Sequence, residues 1–287
     1  MTRTFATIGL ALVALAPWPT ASAQLLNKEA PVIVGHYHLN VSSVDDHKRF
    51  WVDTLGGEAT TFGPFELIRF PNVFLFLQEQ PPTGPTRGTT FDHIGFAVPD
   101  VPAVAAKAEA AGYGRTVGRE PGPGQEAAPP TAGSYGRFEY LVGPDGVKVE
   151  LVTNMEPGAP PITHHHVHFV NQQFVEMQQW YMKAFNATLR DGQTDFFIGA
   201  DLPGVGYMLN FFSWLPDENL TGTRGRAVDH VGFEVRDLEA FTRELESKGI
   251  ELTMPYRRID NMNLGIAFIT DPWGTYIELT EGLGDLP

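Results

Sequence analysis

Two spacings of apolar residues alternate along the chain. Ile94, Phe96 and Val98 take turns with His93, Gly95 and Ala97, which predicts a strand with one buried face. After Asp237, a plausible N-cap, Leu238, Phe241 and Leu245 recur at helical spacing, and Gly249 supplies a stop. Short apolar runs then follow at residues 73–77, 138–142, 147–152, 208–212, 266–269 and 276–280. Each quarter of the chain therefore reads as strand, helix and about three further strands. Phe50, Trp51, Trp180 and Tyr181 fall on the predicted helices and are read as core between helix and sheet.

The pattern repeats. Asp92-His93-Ile94-Gly95-Phe96 recurs as Asp229-His230-Val231-Gly232-Phe233, and both copies run on without a gap to Gly112 and Gly249. Each later reaches a second shared segment, Pro144-Asp145-Gly146-Val147-Lys148-Val149-Glu150 or Pro272-Trp273-Gly274-Thr275-Tyr276-Ile277-Glu278. A weaker repeat precedes each: His36-Tyr37-His38 matches His166-Val167-His168. The order A, B, A, B divides the chain into a first domain over 31–154, a Pro- and Gly-bearing linker over 155–163, and a second domain over 164–282.

The ends and the composition narrow the setting. Arg3, an uncharged run over 5–16 and the triplet Ala21-Ser22-Ala23 have the layout of a secretory signal peptide, so residues 1–23 are expected to be removed and the mature chain to be periplasmic or secreted. No later segment is apolar enough to span a membrane. With 34 acidic against 20 basic residues, nucleic acid and anionic membrane are poor partners and a small-molecule substrate is the better one; a homo-oligomer is compatible with the sequence. The chain has no cysteine, so disulfides and thiolate metal sites are excluded, and any transition metal must be held by nitrogen and oxygen.

Side chains alternate along a strand, so His36, His38, His93, His166, His168 and His230 are expected on the face opposite the helices, where a cavity would lie. Gly95 and Gly232, two residues after a histidine on that face, are read as leaving room for a ligand. The same parity puts Glu150 and Glu278 opposite apolar neighbours, a position that suits a metal ligand.

The four strand-helix-strands units, their Asp-His-x-Gly-Phe starts and their Pro-x-Gly-x-x-x-Glu ends resemble the vicinal oxygen chelate superfamily of glyoxalase I, extradiol dioxygenases and bleomycin resistance proteins, over residues 33–281. The resemblance implies an α+β fold: four βαβββ modules paired into two domains, each a cupped, incompletely closed eight-stranded mixed sheet with helices outside. It further implies a divalent metal ion (Fe, Mn, Zn, Ni or Co) in each domain, held by His36, His93 and Glu150 in the first and by His166, His230 and Glu278 in the second. His36 is the better aligned first-strand ligand, which leaves His38 as an outer-sphere group or base; His168 is its counterpart in the second half. His166 aligns better than His164 or His165, for which an exposed run without a role stays open.

Departures from the known chemistries shape the expected function. The strand positions that would carry the fourth, acidic ligand of glyoxalase I offer no acid, with Asn210 as the nearest substitute. The tyrosine ten residues before the metal glutamate of extradiol dioxygenases is present as Tyr140 but replaced by Phe268 in the second half. The expected function is thus a metal-dependent enzyme of glyoxalase or dioxygenase-like type acting on an oxygen-rich small molecule, with His38, Tyr140 and His168 as candidate catalytic groups. The alternatives are a non-catalytic binding protein of the bleomycin-resistance type and an extradiol dioxygenase. Residues 118–133, rich in proline and glycine, read equally as a lid or an exposed insertion.

Overall fold

The computed structural model describes residues 29–118, 137–154, 156–194, 197–213 and 220–286. Residues 1–23, expected to be a signal peptide, and nearly all of segment 118–133 lie outside them.

Four modules follow one another. The first holds β1 (Val32–Val41), α1 (Val44–Lys48, continued by a π-helical stretch Arg49–Thr54), β2 (Glu58–Phe62), β3 (Phe65–Phe70) and β4 (Val73–Glu79). The second holds β5 (Phe91–Val98), α2 (Val101–Ala110), β6 (Gly114–Thr116), β7 (Phe138–Val142) and β8 (Lys148–Thr153). The third holds β9 (Thr163–Val170), α3 (Phe174–Phe185), β10 (Thr188–Leu189), β11 (Phe197–Leu202) and β12 (Gly206–Phe212). The fourth holds β13 (Val228–Val235), α4 (Leu238–Ser247), β14 (Leu252–Ile259), β15 (Leu264–Thr270) and β16 (Tyr276–Glu281). The helix starts have a local cause: Asp100 and Asp237 each accept a hydrogen bond from the backbone N–H three residues on, at Ala103 and Ala240.

In each module the first strand pairs parallel with the last, and the other two follow antiparallel toward one edge. Modules then join through their first strands, and here the structure departs from the sequence reading. β1 pairs antiparallel with β13, and β5 with β9. The two eight-stranded sheets are β14-β15-β16-β13-β1-β4-β3-β2, the outer sheet made from the first and last quarters, and β10-β11-β12-β9-β5-β8-β7-β6, the inner sheet made from the middle two. Neither sheet is built from one sequential half of the chain.

The sequential neighbours meet instead behind the sheets. Phe50 packs on Tyr113 at 4.7 Å between ring centres, and Phe185 stacks on Phe233 at 4.0 Å. One contiguous core takes in the helix-facing side of both sheets (Tyr37, Leu39, Ile94, Phe96, Phe169, Val231) and the buried helix residues Trp51, Tyr181 and Leu245. Each such side chain contributes about 1.5–3 kcal/mol by leaving water. Sequential modules are thus held together through this shared core, strand against strand as well as helix against strand: Phe70 of β3 lies 4.8 Å from Phe96 of β5 between ring centres. Among the described residues no helix is long and apolar enough to cross a membrane.

Candidate metal centres

The first-strand pairing decides which histidines meet. In the outer sheet the register sets His36 opposite Gly232 and His38 opposite His230, while parallel pairing puts Glu278 beside Gly232. In the inner sheet Gly95 faces His166, His93 faces His168, and Glu150 lies beside Gly95. Two clusters result. His36, His230 and Glu278 form one, and His93, Glu150, His166 and His168 the other, with ligand atoms in each within 4.8 Å of one another. The sequence grouping of His36 with His93 and Glu150, and of His166 with His230 and Glu278, is therefore corrected: the six residues converge, but in the sets that β1–β13 and β5–β9 pairing dictates.

The same register corrects the role of the two glycines. A Cβ on Gly95 would collide with the His166 imidazole, and one on Gly232 with that of His36, each far inside van der Waals contact. The space they leave is filled by the histidine of the partner module. Glycine is thus what lets one imidazole cross the strand boundary to reach the other module's glutamate.

In the outer cluster Glu278 Oε2 lies 2.9 Å from His36 Nε2 and 3.0 Å from His230 Nε2. In the inner cluster Glu150 Oε2 lies 3.0 Å from His93 Nε2 and 2.9 Å from His166 Nε2. These separations suit a common cation. With metal–ligand bonds of about 2.1 Å, neighbouring ligands of an octahedral ion lie about 3.0 Å apart and those of a tetrahedral ion about 3.4 Å. The donor set of imidazole and carboxylate, without thiolate, fits Fe, Mn, Zn, Ni or Co.

Buried second partners orient the rings. Asp92 Oδ1 takes a hydrogen bond from His93 Nδ1 at 2.5 Å, and Asp229 Oδ1 one from His230 Nδ1 at 2.7 Å, which turns each Nε2 toward the glutamate. Sequence reasoning quoted these aspartates as part of a repeat but gave them no task; their presence directly before the histidine in both copies was the available signal. His165 Nδ1 sits 2.7 Å from His166 Nδ1 and does the same for that ring, whereas buried His36 Nδ1 has no partner among the described residues.

Electrostatics follow from burial and these bonds. Burial opposes charge on His230, but Asp229 and Glu278 outweigh it and raise its pKa to about 9. Burial, aided by His230, pushes His38 down to about 3, so this ring is neutral across the physiological range. Burial also opposes ionisation of Asp92, yet the Lys148 ammonium 2.9 Å away and the bond from His93 hold its carboxyl well below the usual range.

The remaining histidines separate at a β-bulge. The register slips between Gly95–His166 and Phe96–His164, so His164 turns into the core, where its Nε2 meets Tyr37 Oη at 2.7 Å, while His165 lines the inner cavity. The possibility, left open by the sequence, that these two form an exposed run is thereby excluded: His164 is buried and His165 half-buried.

Each cluster opens on a cavity. The inner one, about 470 Å³, is walled by Asp92, Tyr140, Tyr207 and Asn210 beside apolar Phe138, Val152 and Phe212. Tyr140 Oη donates to the second oxygen of Glu150 at 2.7 Å, and buried Asn210 Oδ1 has no partner among the described residues. The outer one, about 220 Å³, is walled by Phe62, Phe65, Phe76, Met262, Leu264 and Phe268, with His38 on its floor stacked against Phe76.

Comparison with known proteins agrees with this architecture. Residues 33–151 and 163–279 match the Glyoxalase/Bleomycin resistance protein/Dioxygenase superfamily. No curated protein matches the chain. Among solved structures, glyoxalase I from Zea mays superposes with a TM-score of 0.63 at 18% identity, covering 88% of this chain and 94% of that one. A point mutant of the same maize enzyme gives 0.65 at 18%, over 90% and 97%. A putative dioxygenase from Bacillus subtilis gives 0.60 at 15%, over 86% and 85%. At such identities the likeness shows the shared fold.

Proposed function

Because the chain belongs to the Glyoxalase/Bleomycin resistance protein/Dioxygenase superfamily, we propose that it is a metal-dependent enzyme that binds and activates a small molecule with neighbouring oxygens. The observation that carries this reading is the convergence, twice, of two imidazole nitrogens on one carboxylate oxygen at the floor of a cavity.

His36, His230 and Glu278 would hold one divalent ion, and His93, His166 and Glu150 another. A bound ion of this kind would supply Lewis-acid polarisation of a substrate oxygen. The chain's own groups do the rest. Glu150 is fixed by Tyr140, so its second oxygen is not free to swing away, and the aspartates keep Nε2 of His93 and His230 directed inward. His38, neutral and on the cavity floor, is placed to hydrogen-bond a substrate oxygen. The apolar walls exclude water and strengthen each of these interactions. Non-redox chemistry is preferred, because Phe268 stands in the outer site where the inner one has Tyr140.

Elemental analysis of untagged protein tests the proposal. Two metal equivalents are expected; one assigns a degenerate sheet, and none leaves a metal-free binding protein, the reading that the apolar outer cavity favours. We also propose that residues 1–23 direct export and are removed, on the strength of Arg3, the apolar run and Ala21-Ser22-Ala23. Intact mass of the mature protein checks this, and retention of Met1 would refute it.

A further inference from the structure

The two sheets carry histidine at corresponding places two residues after the first-strand ligand: His38 after His36, and His168 after His166. The register sets each beside the partner module's ligand, His38 against His230 and His168 against His93. Their outer neighbours differ. On β4 the residue paired with His38 is Phe76, and the two rings lie 11° from parallel with centres 5.9 Å apart; His38 stays outside the cluster of ligand atoms. On β12 the residue paired with His168 is Asn210, which offers no ring to stack on. His168 turns its Nδ1 to 3.2 Å from His93 Nε2 and joins the cluster.

That places His93 Nε2 at 3.2 Å from His168 Nδ1, 3.2 Å from His166 Nε2 and 3.0 Å from Glu150 Oε2. His93 Nδ1 already gives its proton to Asp92, so a neutral His93 has only a lone pair at Nε2. Three ring nitrogens and a carboxylate oxygen face one another at these distances, all buried, and neutral tautomers supply N–H donors for only some of the contacts. One proton satisfies one such contact. An ion bonded to all four satisfies every one.

We infer that His168 is a fourth protein ligand of the inner centre, coordinating through Nδ1, so that the two centres differ in what they leave to a substrate. A six-coordinate ion keeps two positions at the inner sheet and three at the outer. A substrate chelating through two neighbouring oxygens fits either. Only the outer centre would then have a position to spare beside such a chelate. This rests on metal binding as proposed above.

The test is proton NMR of the protein loaded with Co²⁺, in which the remaining ring N–H of each ligated histidine gives a solvent-exchangeable, strongly shifted line. Five such lines are expected, from His36, His230, His93, His166 and His168. His168→Asn should leave four and weaken one of the two Co²⁺ equivalents by at least about tenfold; His38→Asn should leave five. Two bound Co²⁺ with only four lines in the unaltered protein would overturn the fourth ligand while leaving the metal reading intact. No bound Co²⁺ would overturn both.

Discussion

The inner and outer centres are built on one plan and finished differently. Both use a glycine to admit an imidazole from the partner module, and both steer a histidine with the aspartate before it. The inner one then adds polar support at three further contacts: Tyr140 on the glutamate, His165 behind His166, and Lys148 behind Asp92. At the corresponding places the outer one has Phe268 opposite Glu278, a His36 Nδ1 with no partner among the described residues, and, with Tyr276 where the lysine would be, the Gly225 N–H on Asp229. The repeat thus keeps the means by which ligands are brought together, while the surroundings that set ligand basicity and cavity polarity vary between copies.

The strongest way to break this parallel is to block the crossing itself. Gly95→Ala and Gly232→Ala should each force an imidazole out of its place, cost about 1–3 kcal/mol of stability or more, and remove one metal equivalent. Denaturant melts with metal analysis check this; full metal content in both variants would show that the imidazoles do not need those positions. Next, Glu150→Gln and Glu278→Gln should each weaken one equivalent by more than about 100-fold, read by competition with a chelating dye. Turnover measured on the same pair then assigns the reaction to one sheet or to both.

Smaller effects sharpen the contrast. Tyr140→Phe should make the inner glutamate resemble the outer one and loosen the inner ion about tenfold while leaving the other unchanged; Phe268→Tyr should tighten the outer ion. The turns that precede the last strands of the second and fourth modules differ in sign. Asp145 has its pKa lowered, because bonds from Ser42 and His47 outweigh its burial. Burial raises Asp271 to about 6, despite bonds from Thr275, Trp273 and Tyr181. A raised carboxyl binds its proton more tightly folded than unfolded, so Asp271 lowers stability as pH climbs from about 4 to about 6, by up to about 3 kcal/mol. Asp271→Asn should therefore gain on the unaltered protein across that window, as urea midpoints at the two ends would show.

Much of this was legible in the chain. Strand parity put the six ligand histidines and glutamates on one face, and the cap at Asp237 with Leu238, Phe241 and Leu245 located α4. Both signals are local, carried by residues a few positions apart. Which quarter pairs with which is not local. His36 would reach the cavity whether β1 lay against β5 or β13, and nothing in the alternation distinguishes the two. The bulge that sends His164 inward was equally hidden, since parity alone assigns it the same face as His166.

The nested strand pairing bears on the order in which the molecule can assemble. Glu150 and His166 are joined by a short linker, whereas His36 and Glu278 stand 242 residues apart. Closing the longer loop costs roughly 2 kcal/mol more in chain entropy, about four doublings of length. The first module must therefore wait, its β1 edge unpaired, until the last has been synthesised, and a chain stalled before residue 228 would present that edge to any other strand it meets.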